Sequence, residues 1–268
     1  MTDSRESLLA ALAWQAELGA DEAIGDDFVD RTLADRMVAP EPEAPKAVSK
    51  PAPSSAPVLA LTPPGEGETE AIAATCADLP ALHAAIEAYG HPLKSGARTC
   101  VFADGNPAAR VMIVGEAPGR NEDIEGRPFV GIGGQLLDRM LAAIGLSRHD
   151  EDPEKAVYIT NIVPWRPAQN RTPTPVESDA FLPFVRRHID LIDPALIVAM
   201  GNTPTKALLD TKTGIMRMRG VWTEVKTPGD TRPCLPMLHP AYLLRQPQDK
   251  HKAWSDLLTL QSRIEEMR

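Results

Sequence analysis

Val111-Met112-Ile113-Val114-Gly115-Glu116-Ala117-Pro118-Gly119, followed by Glu122-Asp123 and Gly126-Arg127-Pro128-Phe129-Val130-Gly131, is the stretch that decides how this chain folds. Four consecutive apolar residues ending in glycine predict a strand buried on both faces, and residues 115–131 are too rich in Gly, Pro and acid to prolong it. In open α/β sheets, ligands bind at the carboxyl ends of strands. This strand end offers a Glu, an acidic pair and a Phe flanked by Pro and Val, so chemistry is expected there. A nucleotide-phosphate cradle is disfavoured, because neither Gly-x-Gly-x-x-Gly nor Gly-Lys-Ser/Thr is present.

Strand-like apolar runs recur on either side, at Thr99 to Phe102, Arg110 to Val114, Val157 to Asn161, Leu196 to Met200 and Cys234 to Leu238. Helical patterns separate most of them. One passes through Leu82, Ile86 and Tyr89, one runs from Gln135 to Ile144 and stops at Gly145, and one runs from Val176 to Ile192 and stops at Asp193-Pro194. Strands alternating with helices predict an α/β fold with a parallel sheet covered on both faces.

The formal charge of −9 lies wholly in residues 1–70, and the remainder is balanced. A neutral folded part permits a nucleic-acid partner, whereas a uniform excess of acid would oppose one. Residues 1–38 read as an acidic segment with a short amphipathic helix over 5–20, and 39–70 as a Pro/Ala-rich linker unable to bury enough apolar area to order itself. Residues 71–268 are the expected catalytic domain. With no apolar run of about 20 residues and no signal-peptide pattern, the expectation is a soluble, cytoplasmic protein without membrane contact. Cys76, Cys100 and Cys234 are widely spaced and include no Cys-x-x-Cys pair, so neither a disulfide framework nor a zinc site is predicted.

Two further strand ends carry polar residues suited to a ligand. Tyr158-Ile159-Thr160-Asn161 leads into Val163-Pro164-Trp165-Arg166-Pro167-Ala168-Gln169-Asn170-Arg171-Thr172-Pro173, and an Asn there can both donate to and accept from a planar ligand. The other is Leu238-His239-Pro240-Ala241-Tyr242-Leu243-Leu244-Arg245. Taken alone, an Asn is more often a turn residue, and a single His suits a structural role as well as a catalytic one.

Taken together, the three strand ends resemble the motifs of the uracil-DNA glycosylase superfamily, with family 4, the thermostable group, as the nearest match over most of residues 85–260. The resemblance implies a three-layer αβα sandwich on a central, mostly parallel four-stranded sheet. It also implies a monomeric, monofunctional DNA-repair hydrolase that flips uracil from single- or double-stranded DNA and leaves an abasic site. Phe129 would stack on the base, and Asn161 would read its N3 and O4 edge. His239 would hydrogen-bond O2 as negative charge develops on the departing base. Glu116 and Ala117 would shape the pocket. Glu122, with Asp123 as its alternate, would face the positive charge on the sugar; a solvated acidic turn is the competing reading of this pair. Leu243, Leu244 and Arg245 resemble a minor-groove wedge and its phosphate contact, with Arg166, Arg171, Lys250 and Lys252 as further phosphate candidates.

The chain departs from family 4 in three places. Where that family holds a four-iron, four-sulfur cluster on cysteines, this sequence has Ala88, His91, Trp165 and Phe181, so no cluster, metal or other cofactor is expected. Ala168-Gln169 replaces a Pro-Gly pair, and Ala241 stands where Ser is common. The competing functional reading is a slow-turnover or non-catalytic protein that binds uracil or abasic sites in DNA. A partner-recruiting scaffold built on the acidic segment is a third.

Overall fold

The computed structural model describes residues 67–267, so the expected helix over 5–20 and nearly all of the expected linker lie outside the described residues. The strands are β1 (Asp104–Gly105), β2 (Val111–Gly115), β3 (Val157–Asn161), β4 (Leu196–Met200), β5 (Thr223–Lys226) and β6 (Thr231–Met237). The helices are α1 (Glu68–Thr75), α2 (Leu79–Ala88), α3 (Arg120–Glu125), α4 (Ile132–Ala142), α5 (Pro175–Ile192), α6 (Asn202–Leu209), α7 (Ile215–Met218), α8 (Pro240–Arg245) and α9 (Lys250–Glu266).

The sheet has the order β1-β3-β2-β4-β6-β5. Its four inner strands are mutually parallel, while β1 and β5 run antiparallel along the edges. Alternate side chains leave opposite faces of a strand, and the core divides accordingly. Met112, Val114, Tyr158, Ile197 and Ala199 join the cluster under α1, α2 and α5, whereas Val111, Ile113, Ile159, Val198, Leu235 and Met237 join the one under α4, α8 and α9. Every residue of β2, β3 and β4 is buried, which accounts for the apolar runs Val111–Val114, Val157–Ile159 and Leu196–Met200. Each such Val, Leu or Ile contributes roughly 1.5–3 kcal/mol on burial.

The α/β sandwich with a mostly parallel sheet is therefore observed, but with six strands where four were expected. The two additional strands are the edges. Thr223-Glu224-Val225-Lys226 buries Val225 alone, and a polar edge strand resembles a loop in sequence. The expected strand at Thr99–Phe102 is not formed; pairing starts only at Asp104–Gly105. A Cβ at position 105 would lie 2.1 Å from the Val157 carbonyl oxygen, so glycine (φ +96°) is required for this close approach.

Chain order places the ligand crevice. From β2 the chain moves to β3 on one side and then crosses to β4 on the other, so the topological switch point falls at the carboxyl end of β2. α5 begins on a capping box, with Thr174 Oγ1 accepting from the Glu177 amide at 3.2 Å and Glu177 Oε2 accepting from the Thr174 amide at 2.8 Å. Pro175 at its first turn needs no amide partner.

Candidate active site

At that switch point lies a cavity of about 400 Å³, bordered by Glu116, Ala117, Glu122, Phe129, Asn161, Asn170, Arg171 and His239. All three chemistry-bearing strand ends thus meet in one place. The ladder continues beyond the strands to hold two of them together: Ile162 donates to the Gly115 carbonyl at 2.9 Å, and Val163 to that of Glu116 at 3.1 Å.

Gly115 and Asn161 are register partners at the ends of β2 and β3. A Cβ at Gly115 would lie 2.3 Å from Asn161 Oδ1 and 2.5 Å from the Phe129 ring. Glycine here lets an amide and an aromatic ring converge over bare backbone. Phe129 is buried and adopts φ +54°, a left-handed conformation that costs a non-glycine residue roughly 1–2 kcal/mol. Gly134 makes that turn possible, since a Cβ there would fall 1.8 Å from the Phe129 carbonyl oxygen.

The Phe129 ring is stacked against the imidazole of His239, with centroids 5.3 Å apart and planes at 27°. His239 caps α8, and its Nδ1 accepts from the Ala241 amide at 3.1 Å. Desolvation, reinforced by Arg245 and opposed by Glu122, lowers its pKa to about 4. At neutral pH the ring is therefore neutral. With Nδ1 serving as acceptor, the proton resides on Nε2. Gly201 (φ +105°) at the end of β4 permits this packing, because a Cβ there would lie 3.1 Å from His239 Cβ.

Glu122 Oε1 accepts from the amides of Val130 (3.0 Å) and Gly131 (2.8 Å), and Oε2 from that of Gly119 (3.1 Å). The carboxylate thereby ties the two ends of the 119–131 loop together. Of its roughly four acceptor sites, one remains, on Oε2. Glu116 Oε2 accepts from Thr203 Oγ1 at 2.6 Å, which fixes the second carboxylate of the cavity.

Other expected site residues lie elsewhere. Asp123 is 2% exposed and does not line the cavity; its Oδ1 accepts from the Arg98 and Thr99 amides at 2.8 and 3.3 Å. It anchors the loop before β1, away from the cavity that Glu122 lines. Leu243 is wholly buried in the core beneath α8 and α9, so the expected two-leucine wedge reduces to the exposed Leu244, followed by the exposed Arg245. Arg171 lines the cavity but is paired with buried Glu177 at 2.6 and 2.7 Å, an interaction that raises the pKa of the Arg. Arg166 donates to Asn170 Oδ1 at 2.6 Å. Lys252 is paired with Asp249 at 2.6 Å.

The loop substitution has a backbone consequence. Gln169, in place of glycine, has φ +57°, and the adjoining Asn170 has φ +54°. Asn tolerates this region, whereas Gln is strained there.

The four cluster positions do not fit an iron–sulfur group. Phe181 packs edge-on against His91, with ring centroids 4.8 Å apart, and both it and Trp165 are buried among the core residues. His91 Nδ1 accepts from the Leu93 amide at 3.3 Å, and no thiolate stands at any of the four. Among the described residues, no group of three or more His, Cys, Asp or Glu side chains could hold a metal ion.

Gly134 and Thr203 were not legible from the sequence. The pair Gly133-Gly134 at the start of a helix was the available signal, since glycine there is costly unless a close approach needs it.

The family model that matches residues 102–258 is described as the uracil DNA glycosylase superfamily. The Type-4 uracil-DNA glycosylase of Archaeoglobus fulgidus is 41% identical over 156 residues, covering 57% of this chain and 75% of that protein. The Type-4 enzyme of Thermotoga maritima is 41% identical over 155 residues (58% and 76%), and that of Pyrobaculum aerophilum 37% over 194 (67% and 91%). With three motif-bearing strand ends around one cavity and more than half its length matched, the chain belongs to the uracil-DNA glycosylase superfamily.

Proposed function

We propose that the protein is a monofunctional uracil-DNA glycosylase of base-excision repair, which takes a flipped uracil into this cavity and hydrolyses its N-glycosidic bond. The observation that carries this reading is the convergence of Phe129, Asn161 and a neutral, Nε2-protonated His239 on one cavity of about 400 Å³.

Phe129 presents an aromatic surface to the base. Asn161 matches uracil with one acceptor for N3–H and one donor for O4, a pattern that cytosine reverses. As the C1′–N1 bond breaks, its electron pair leaves with the base. The His239 Nε2–H then donates to O2 as charge accumulates there, and a neutral donor suits an anionic leaving group. Glu122 supplies fixed negative charge towards the cationic sugar, and its remaining acceptor site can orient the water that adds to C1′. The water oxygen becomes the sugar hydroxyl; one of its protons is lost and uracil departs after gaining one. None of the motifs places a lysine where it could form a Schiff base with the abasic sugar, so the strand is left intact.

Leu244 and Arg245 are the parts of the third motif exposed for DNA contact. A wedge offsets the unstacking that flipping requires, and Arg245 suits a phosphate. The aromatic filling of the cluster positions supports a protein that folds and works without iron.

An end-labelled oligonucleotide with one uracil tests the reading. Several abasic sites per protein molecule, converted to breaks only after alkali, are expected. Unchanged DNA with a stable gel shift would make the protein a binder instead.

A further inference from the structure

We infer that Arg148, which lies outside the cavity, is a positioning residue that sets the angle of the stacking ring of Phe129; the inference rests on the function proposed above. Arg148 is buried, with its side chain 3% exposed. Its Nη1 donates to the Pro128 carbonyl at 2.9 Å and its Nη2 to the Phe129 carbonyl at 3.0 Å. One guanidinium thus turns two consecutive carbonyls to the same side. That arrangement holds Phe129 in its left-handed conformation and leaves the ring on the side of Gly115 and His239.

The guanidinium is itself fixed from two directions. Nε donates to Asp138 Oδ1 of α4 at 2.8 Å, and Nη1 to Asp104 Oδ2 of β1 at 3.1 Å. Four bonds from one side chain link the sheet edge, a helix and the turn that carries the ring. A lysine could reproduce the charge at this position but not the planar fork. Glu122, bonded to the next two amides, fixes the other side of the turn. Phe129 is therefore held between two charged side chains, of which only Glu122 borders the cavity.

A double-mutant cycle between Arg148 and Phe129 tests this. Arg148→Lys is expected to lower kcat for uracil excision by roughly 10- to 100-fold, with KM for DNA within about threefold of wild type, because small misplacements of a positioning group act on the reacting complex. In a Phe129→Ala background the same change should cost less than about threefold. Equal losses in both backgrounds would show a general structural role and overturn the inference. A second readout does not depend on activity: the Phe129 ring shifts the NMR resonances of the stacked His239 imidazole. Arg148→Lys should move those resonances in the direction that Phe129→Ala does, and unchanged resonances would also contradict the inference. If wild type releases no uracil, the functional reading fails while the NMR comparison still decides the role of Arg148. Should Arg148→Lys not fold, Asp138→Asn loosens the guanidinium from the partly exposed side and takes the same two readouts.

Discussion

The Nδ1 atom of His239 accepts the backbone N–H of Ala241 at 3.1 Å, and this one contact determines which ring nitrogen carries the proton. The imidazole is then a neutral donor rather than a cation or a base. Because burial lowers its pKa to about 4, the active form persists well below the ordinary histidine range. The rate of excision should rise with pH through about 4 and show no inflection near 6.5 that is attributable to His239. A pH–rate profile under single-turnover conditions checks this.

The same shift bears on stability. A histidine with a lowered folded-state pKa takes up its proton more readily when unfolded, so stability is lost as pH falls from about 6.5 towards 4. His188, fully buried against Tyr158 and lowered to about 3, acts in the same direction. Urea unfolding at several pH values should show declining stability across this window. In His188→Phe the decline should be shallower, with excision retained.

Glu122 has a structural role in the 119–131 loop and, in the function proposed, a chemical one. Glu122→Ala leaves three backbone amides without their acceptor and is expected to reduce excision by on the order of 10²-fold or more, with a lowered Tm. Glu122→Gln is not a mild change, because whichever way its amide turns, an NH2 group faces a backbone N–H. A loss of about 1–3 kcal/mol is expected for it by denaturant titration. Excision near the wild-type rate in Glu122→Ala would return this carboxylate to the role of a structural staple.

The adjacent leucines of α8 should behave oppositely. Leu243→Ala empties a packed site and should destabilise the fold by about 2–5 kcal/mol. Leu244→Ala should leave Tm unchanged but lower excision from duplex DNA more than from single strands, since only the duplex requires a wedge. Parallel melting curves and excision assays on the two substrates distinguish them.

Much of the fold was legible in the sequence, for identifiable reasons. β3 and β4 are buried on both faces, so Leu196–Met200 stands out as an uninterrupted apolar run and Val157-Tyr158-Ile159 as a shorter one that ends in Thr160-Asn161, with the bounds observed. β5 and β1 gain their strand identity from a neighbour's backbone, which leaves no apolar pattern to read. At the site, Phe129, Asn161, Glu122 and His239 are singled out only by the resemblance of the three strand ends taken together, and the cavity brings them into one place. Residue type could not show which neighbouring side chain turns inward. Asp123 sits beside Glu122 and Leu243 beside Leu244, yet helical rotation buries Asp123 against the 98–99 backbone and Leu243 in the core. The role of Arg148 was hidden for the same reason: an arginine is ordinarily a surface residue until its partners are seen.

Whether this cavity reads a flipped uracil is decided by comparing the excision of uracil and cytosine by wild type and by Asn161→Asp. Replacing the Asn amide with a carboxylate removes the donor to O4 and leaves only acceptors. Uracil excision is expected to fall by on the order of 10²-fold or more, and the preference for uracil over cytosine to narrow. Uracil excision within about twofold of wild type, with the preference unchanged, would contradict the reading, because a base-reading donor cannot be deleted at so little cost.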